Sequence, residues 1–88
     1  MAWRIELSSS ATKALKKLDP QHARRITRYL ARKLATVDDP RQYGKPLQGE
    51  HREYWRYRVG AYRVICHIED DILRVLVVRI GHRREIYR

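Results

Sequence analysis

What this chain is short of narrows its class before any motif is read. Its single cysteine, Cys66, rules out an intrachain disulfide and a multi-cysteine zinc site. A reducing cytoplasm is therefore the expected compartment. No apolar run approaches the roughly 20 residues that a bilayer span needs. The opening residues, Met1-Ala2-Trp3-Arg4-Ile5-Glu6-Leu7, lack the continuous apolar stretch of a secretory signal. There is no internal repeat and no low-complexity segment. Acids are also scarce: 10 Asp and Glu face 20 Lys and Arg, a formal net charge of +10. That balance favours nucleic acid, an anionic membrane or an acidic protein as partner. A 43% hydrophobic content is too high for a disordered basic tail, and 88 residues suit one domain, residues 1–88.

The patterning gives the elements. Trp3, Ile5 and Leu7 alternate with Arg4 and Glu6, as in a half-buried strand. Ser8-Ser9-Ser10 offers helix caps ahead of residues 11–18, where Ala11, Leu15 and Leu18 share a face. Asp19-Pro20 stops that helix and starts the next, with Asp as N-cap and Pro in the first turn. The second helix is expected to reach about Thr36, with Ala23, Ile26, Leu30 and Leu34 as its stripe. Residues 37–52 contain Asp39-Pro40, Gly44, Pro46 and Gly49, and read as a connecting loop. Residues 54–59, 62–69 and 72–80 are rich in aromatic and β-branched side chains and predict a three-strand meander, with Asp70-Asp71 closing its second hairpin. The order predicts an α+β fold with both helices on one face of the sheet.

The first hairpin carries the chemistry. With Gly60-Ala61 as a two-residue turn, Val59 lies opposite Tyr62 and Arg58 opposite Arg63. Arg56 shares the face of Arg58, because side chains alternate along a strand. Three guanidinium groups so close repel one another unless an anion neutralises them, which points to a phosphate-bearing ligand. In this register Trp55, Tyr57, Val59, Tyr62, Val64, Cys66, Ile68, Leu73, Val75 and Val77 face the helices. The other face should carry Arg56, Arg58, Arg63, His67 and Arg74 beside Ile65, Leu76, Val78 and Ile80, a shallow basic groove floored by apolar side chains. Trp55, Tyr57 and Tyr62 therefore read as core rather than base-stacking residues, and His67 and Cys66 as core or groove floor. His22 and His51 read as surface residues.

The order of elements, the hairpin W-R-x-R-V-G-x-Y-R (residues 55–63), Pro46-Leu47-Gln48-Gly49 and the closing G-H-R-R-E-I-Y (residues 81–87) resemble the RelE/ParE superfamily of toxins, on its RelE side. The resemblance covers essentially the whole chain. It implies a toxin that cleaves messenger RNA in the ribosomal A site and is held inactive by a cognate antitoxin. The matching positions for its working residues are Arg56, Arg58, Arg63, Arg83 and Tyr87, with His82 a further candidate. The partners implied are ribosome, mRNA and an acidic antitoxin, with the free toxin a monomer that becomes heteromeric with its antitoxin. No membrane, metal or cofactor is called for.

RNA is cut when its 2′-OH attacks the adjacent phosphate and the 5′-oxygen leaves. One group must accept a proton, another must stabilise the phosphorane, and a third must protonate the leaving oxygen. Arginine suits the second task, since its planar fork grips two phosphate oxygens and stays charged. That role falls to Arg63 and Arg83, with Arg56 and Arg58 positioning the backbone. No conspicuous Glu–His pair is present, so Tyr87 is the expected base, its pKa lowered from about 10 by nearby guanidinium groups.

The helical half holds eight bases (Lys13, Lys16, Lys17, Arg24, Arg25, Arg28, Arg32, Lys33) against one acid, Asp19. This is either a solvated helix surface or a face for ribosomal RNA. Two rivals to the RNase reading stand: a ParE-like member that poisons DNA gyrase by protein contacts, and a non-catalytic nucleic-acid-binding module.

Overall fold

A computed structural model describes residues 2–51 and 53–82. Strand β1 (Arg4–Leu7) leads into helix α1 (Ser9–Lys17), and the first of the three serines makes the cap. Ser8 is extended, and its Oγ accepts a hydrogen bond from the Ala11 N–H at 3.1 Å, satisfying a free donor of the first turn. Helix α2 (Pro20–Tyr29) starts as its sequence implies, with the Asp19 carboxylate accepting from Gln21 N–H at 2.9 Å and Pro20 in the first turn. It ends sooner than the expected Thr36. From Leu30 to Leu34 the coil widens to a π turn, closed by the Ala35 N–H on the Leu30 carbonyl at 3.0 Å. Ile26, Leu30 and Leu34 are all buried by this path.

The sheet has five strands in the order β1-β5-β4-β3-β2, comprising β2 (Lys45–Pro46), β3 (Tyr54–Val59), β4 (Tyr62–Glu69) and β5 (Arg74–His82). The meander is antiparallel, and β1 closes the far edge parallel to β5, with Ile5 beside Val75 and Leu7 beside Val77. Both helices lie on one sheet face. The core between them joins Ala11, Ile26, Leu30 and Leu34 to Tyr57, Val59, Val64, Cys66, Ile68, Val75 and Val77, with Trp55, Tyr62 and Leu73 half-buried at its margin. Each large apolar side chain sealed there contributes about 1.5–3 kcal/mol.

Three sequence expectations need correction. The connection 37–52 is not plain loop: it holds a 3₁₀ turn at Pro40–Gln42, the short strand β2 and a second 3₁₀ turn at Gly49–His51. Asp70-Asp71 is not a two-residue turn. A 3₁₀ turn over Asp70–Ile72 and a left-handed Leu73 (φ 50°) join β4 to β5, so β5 begins at Arg74 rather than Ile72 and runs to His82. The third correction alters the working face. Ile65 pairs with Arg79 while Cys66 pairs with Val77, which leaves Val78 as the extra residue of a β-bulge. Beyond the bulge the alternation changes phase. Ile80 pairs with Val64 and enters the core instead of the groove, and Arg79 takes the groove side. Ser8 secures the bulge: its hydroxyl donates to the Val78 carbonyl at 3.0 Å and its N–H to the Val77 carbonyl at 2.8 Å.

Candidate functional site

Gly60 takes φ 62° at the first turn position, so the hairpin closes in the expected register, with Arg58 opposite Arg63 and Val59 opposite Tyr62. Two rows cross the open face. One runs Arg58, Arg63, Gly81; the other runs Arg56, Ile65, Arg79. Arg58 is exposed and Arg56 half-exposed, but Arg63, expected at the surface, is only 5% exposed. Ile65 is buried outside the main core and floors the groove, as the apolar alternation implied. Arg79 is exposed. It was missed because strict alternation put it on the helix side; the trace it left is the Val77-Val78 doublet, where the alternation skips. Arg74 does not join the group. Its Nε and Nη2 donate to Glu69 at 2.6 and 2.7 Å, and its Nη1 donates to Glu6 at 3.0 Å.

Beside these arginines lies a cleft of about 400 Å³, walled by Tyr29, Tyr43, Gly44, Lys45, Arg56, Tyr57, Arg58 and Arg63. Residues 43–45 form its outer lip, and three aromatic side chains hold the segment 38–45 that carries it by its carbonyls. Trp3 Nε1 donates to Asp38 O at 3.1 Å, the Tyr57 hydroxyl to Pro40 O at 2.8 Å, and Trp55 Nε1 to Tyr43 O at 2.6 Å. Arg41 ties this segment to the β4–β5 turn by a two-pronged pair with Asp70, at 2.9 and 2.7 Å. Gly44 is required here. At φ +70° it lies so close to β3 that a Cβ would stand 2.2 Å from the Arg56 carbonyl.

A second, more open groove of about 530 Å³ runs along α2 and the π turn, lined by Arg25, Arg28, Tyr29, Arg32, Lys33, Arg58, Val59 and Gly60. All eight helical bases are exposed, but only Arg25, Arg28, Arg32 and Lys33 line this groove; Lys13, Lys16, Lys17 and Arg24 line neither cleft. Among the described residues no acid lines either one. Lys33 Nζ stands 4.4 Å from the Tyr43 ring centre and 5.6 Å from that of Tyr29. Nothing in the patterning singled out Tyr29 or Tyr43, because each owes its place to the fold of a neighbouring segment.

Burial decides which groups could move a proton. Desolvation raises the pKa of Tyr29, with the neighbouring Tyr43 and Cys66 adding to it. Tyr57 is pushed up more strongly, again by desolvation first, and the buried Cys66 thiol is raised by burial alone. Tyr29, Tyr57 and Cys66 thus keep their protons at neutral pH and are poor bases. His82 pairs with Tyr62, shares its side of the sheet, and makes an edge-on ring contact at 5.7 Å. Tyr62 in turn meets His22 at 5.2 Å. His67 packs against Tyr54 at 5.6 Å on the groove side. Arg83, Tyr87 and the His51 side chain lie outside the described residues.

The comparisons with known proteins agree with this architecture. The family model described as the ParE toxin of type II toxin–antitoxin system, parDE, matches residues 5–87. Toxin RelG of Mycobacterium tuberculosis is 30% identical over 88 residues, covering 100% of this chain and 99% of that protein. Toxin RelE of the same organism is 27% identical over 86 residues, or 98% and 87% of the two chains. In the crystal structure of the toxin–antitoxin complex RelBE2 from M. tuberculosis, one chain superposes with a TM-score of 0.85 at 26% identity, over 94% of this chain and 93% of that one. With its strand, two helices and meander, this chain belongs to the RelE/ParE superfamily of toxins of type II toxin–antitoxin systems.

Proposed function

We propose that this toxin is a ribosome-dependent endoribonuclease that cleaves messenger RNA in the A site. The observation that carries the reading is Arg58 set directly opposite Arg63, with Arg56 and Arg79 on the same face. Like charges so opposed repel, and a phosphate entering among them relieves the repulsion. Arg63 is the best placed for transition-state work. It is nearly buried, and a guanidinium shielded from water acts more strongly on charge developing at the phosphorus. Arg83 shares that task, while Arg56 and Arg58 hold the flanking backbone.

In the reaction the 2′-OH loses its proton to a base, its oxygen bonds to phosphorus, and the 5′-oxygen leaves and is protonated. Tyr87 serves as the base, a role unsuited to Tyr29 and Tyr57 with their firmly held protons. The helical bases Lys13, Lys16, Lys17, Arg24, Arg25, Arg28, Arg32 and Lys33 dock the toxin on ribosomal RNA. An acidic antitoxin silences it by covering the arginine face; the similar M. tuberculosis structure is itself a toxin–antitoxin complex.

A second reading follows from the family model, which carries the ParE name: a toxin that binds DNA gyrase and cuts no RNA. Toe-printing on programmed ribosomes separates the two. Site-specific truncation of mRNA, abolished by Arg63→Ala and by Arg83→Ala, is the expected result. Intact mRNA together with inhibited gyrase supercoiling would replace the RNase reading with the second.

A further inference from the structure

The cleft at the arginine face and the groove along α2 share two walls, Tyr29 and Arg58. They meet at the outer edge of β3. Strand β2 pairs only with Trp55 and Arg56, so from Tyr57 onward that edge carries no neighbouring strand among the described residues. A path therefore leads from Arg63 and Arg56, past Arg58 and Tyr29, to Arg25, Arg28, Arg32 and Lys33 without meeting an acid among the described lining residues. Cations recur along it, and the rings of Tyr29 and Tyr43 stand at its centre, where Lys33 already places a cation over both.

We infer that the two clefts form one track for a single RNA strand, which bends over the β3 edge at Tyr29 and Arg58. This rests on the RNase reading and extends it, because part of the helical charge then serves the substrate strand rather than the ribosome. The chemistry fits a single strand. Cations recurring along the path can meet successive phosphates, and a tyrosine face accepts any base. The inner cleft, at about 400 Å³, has the size of a small-ligand pocket. It suits one nucleotide, whereas a helix about 10–12 Å across would not enter it. A duplex is too stiff to follow a turn over a strand edge. The track also divides the helical bases by function: Arg25, Arg28, Arg32 and Lys33 belong to it, and Lys13, Lys16, Lys17 and Arg24 do not.

The test is equilibrium binding of the full-length protein to 2′-O-methyl oligouridylates, which cannot be cleaved by 2′-OH attack. A failure here is thus separate from a failure of cleavage on ribosomes. A strand of about twelve nucleotides should bind at least about tenfold tighter than a trinucleotide at low salt. Arg28→Ala/Arg32→Ala, at two exposed positions that leave the core untouched, should remove most of that gain. It should leave trinucleotide binding within about twofold and flatten the salt dependence by about 0.7 per lost phosphate contact. Lys13→Ala/Lys16→Ala removes the same charge off the track and should change long-strand binding far less. Equal losses from the two double variants would mean a diffuse positive surface and overturn the track. So would duplex RNA binding as tightly as the single strand. Unchanged RNA binding by Arg28→Ala/Arg32→Ala, with lost binding of an acidic antitoxin, would reassign the groove to a protein partner.

Discussion

Two sets of arginines, one toward each end of the sheet, meet opposite electrostatic surroundings. At the β1 end, Arg74 spends its guanidinium on Glu69 and Glu6, and Arg41 on Asp70 with Asp39 at 3.5 Å. At the hairpin end, Arg58 faces Arg63 and Arg79 lies across Ile65 from Arg56, with no acid among the described residues lining the adjoining clefts. The side chains are chemically identical, so the placement of carboxylates separates them. Arginines matched by acids stabilise the fold, and those whose adjoining clefts carry no acid among the described residues suit an anion.

The comparison breaks hardest at Arg63. On programmed ribosomes Arg63→Ala should slow single-turnover cleavage by about 10²–10³-fold, with ribosome affinity changed far less. Arg74→Ala should do the reverse, lowering the thermal midpoint and leaving the bound-state rate intact. If both variants lose rate equally, the two sets are not functionally distinct.

Two glycines with left-handed backbones, Gly44 and Gly60, adjoin the hairpin arginines. Gly60→Ala should cost about 1–2 kcal/mol in urea unfolding, the ordinary penalty for a side chain there, since its Cβ meets only the flexible Arg25 guanidinium at 3.1 Å. Gly44→Ala should cost more, because its Cβ would strike the Arg56 carbonyl, and it should weaken RNA binding by displacing the lip. Arg79→Ala tests the bulge. It should reduce the salt dependence of RNA binding by about 0.7, one phosphate contact, without affecting stability.

The smallest effect is in acid. Hydrogen bonding to Arg74 holds the Glu69 carboxyl below its usual range, and hydrogen bonding to Arg41 does the same for Asp70. Both pKa values are lower in the folded chain than in the unfolded one. Their contribution is therefore complete above the ordinary carboxylate range near pH 4 and fades as pH falls through the depressed folded values. Asp70→Asn should flatten the acid limb of the stability profile measured by urea unfolding. A limb of unchanged slope would show that the Arg41 pair adds nothing.

The hairpin was legible because Gly60 marks the turn and apolar alternation marks the faces, both local properties. The α2 start was legible for the same reason, in Asp19-Pro20. Arg74 was placed on the right face, but its neutralisation was not legible, in part because its partner Glu6 lies 68 positions away on a strand whose parallel docking no local pattern reveals. Strand β2, two residues with a proline among them, has no strand signature, and it exists because Trp55 and Arg56 offer it an edge. Arg63 was placed on the right face but at the wrong depth, since its burial depends on what packs around it and not on its own strand. Arg83 and Tyr87 remain sequence assignments.

Ser8 and Val78 stand 70 positions apart and are joined by one hydroxyl. A chain made from its N-terminus therefore cannot seat its first strand until its last has emerged. Through most of synthesis β1 has no neighbour, and the row from Arg58 through Arg63 to Gly81 lacks its third member. Such distant pairing is slow to form. The row closes only when β5 pairs with β4.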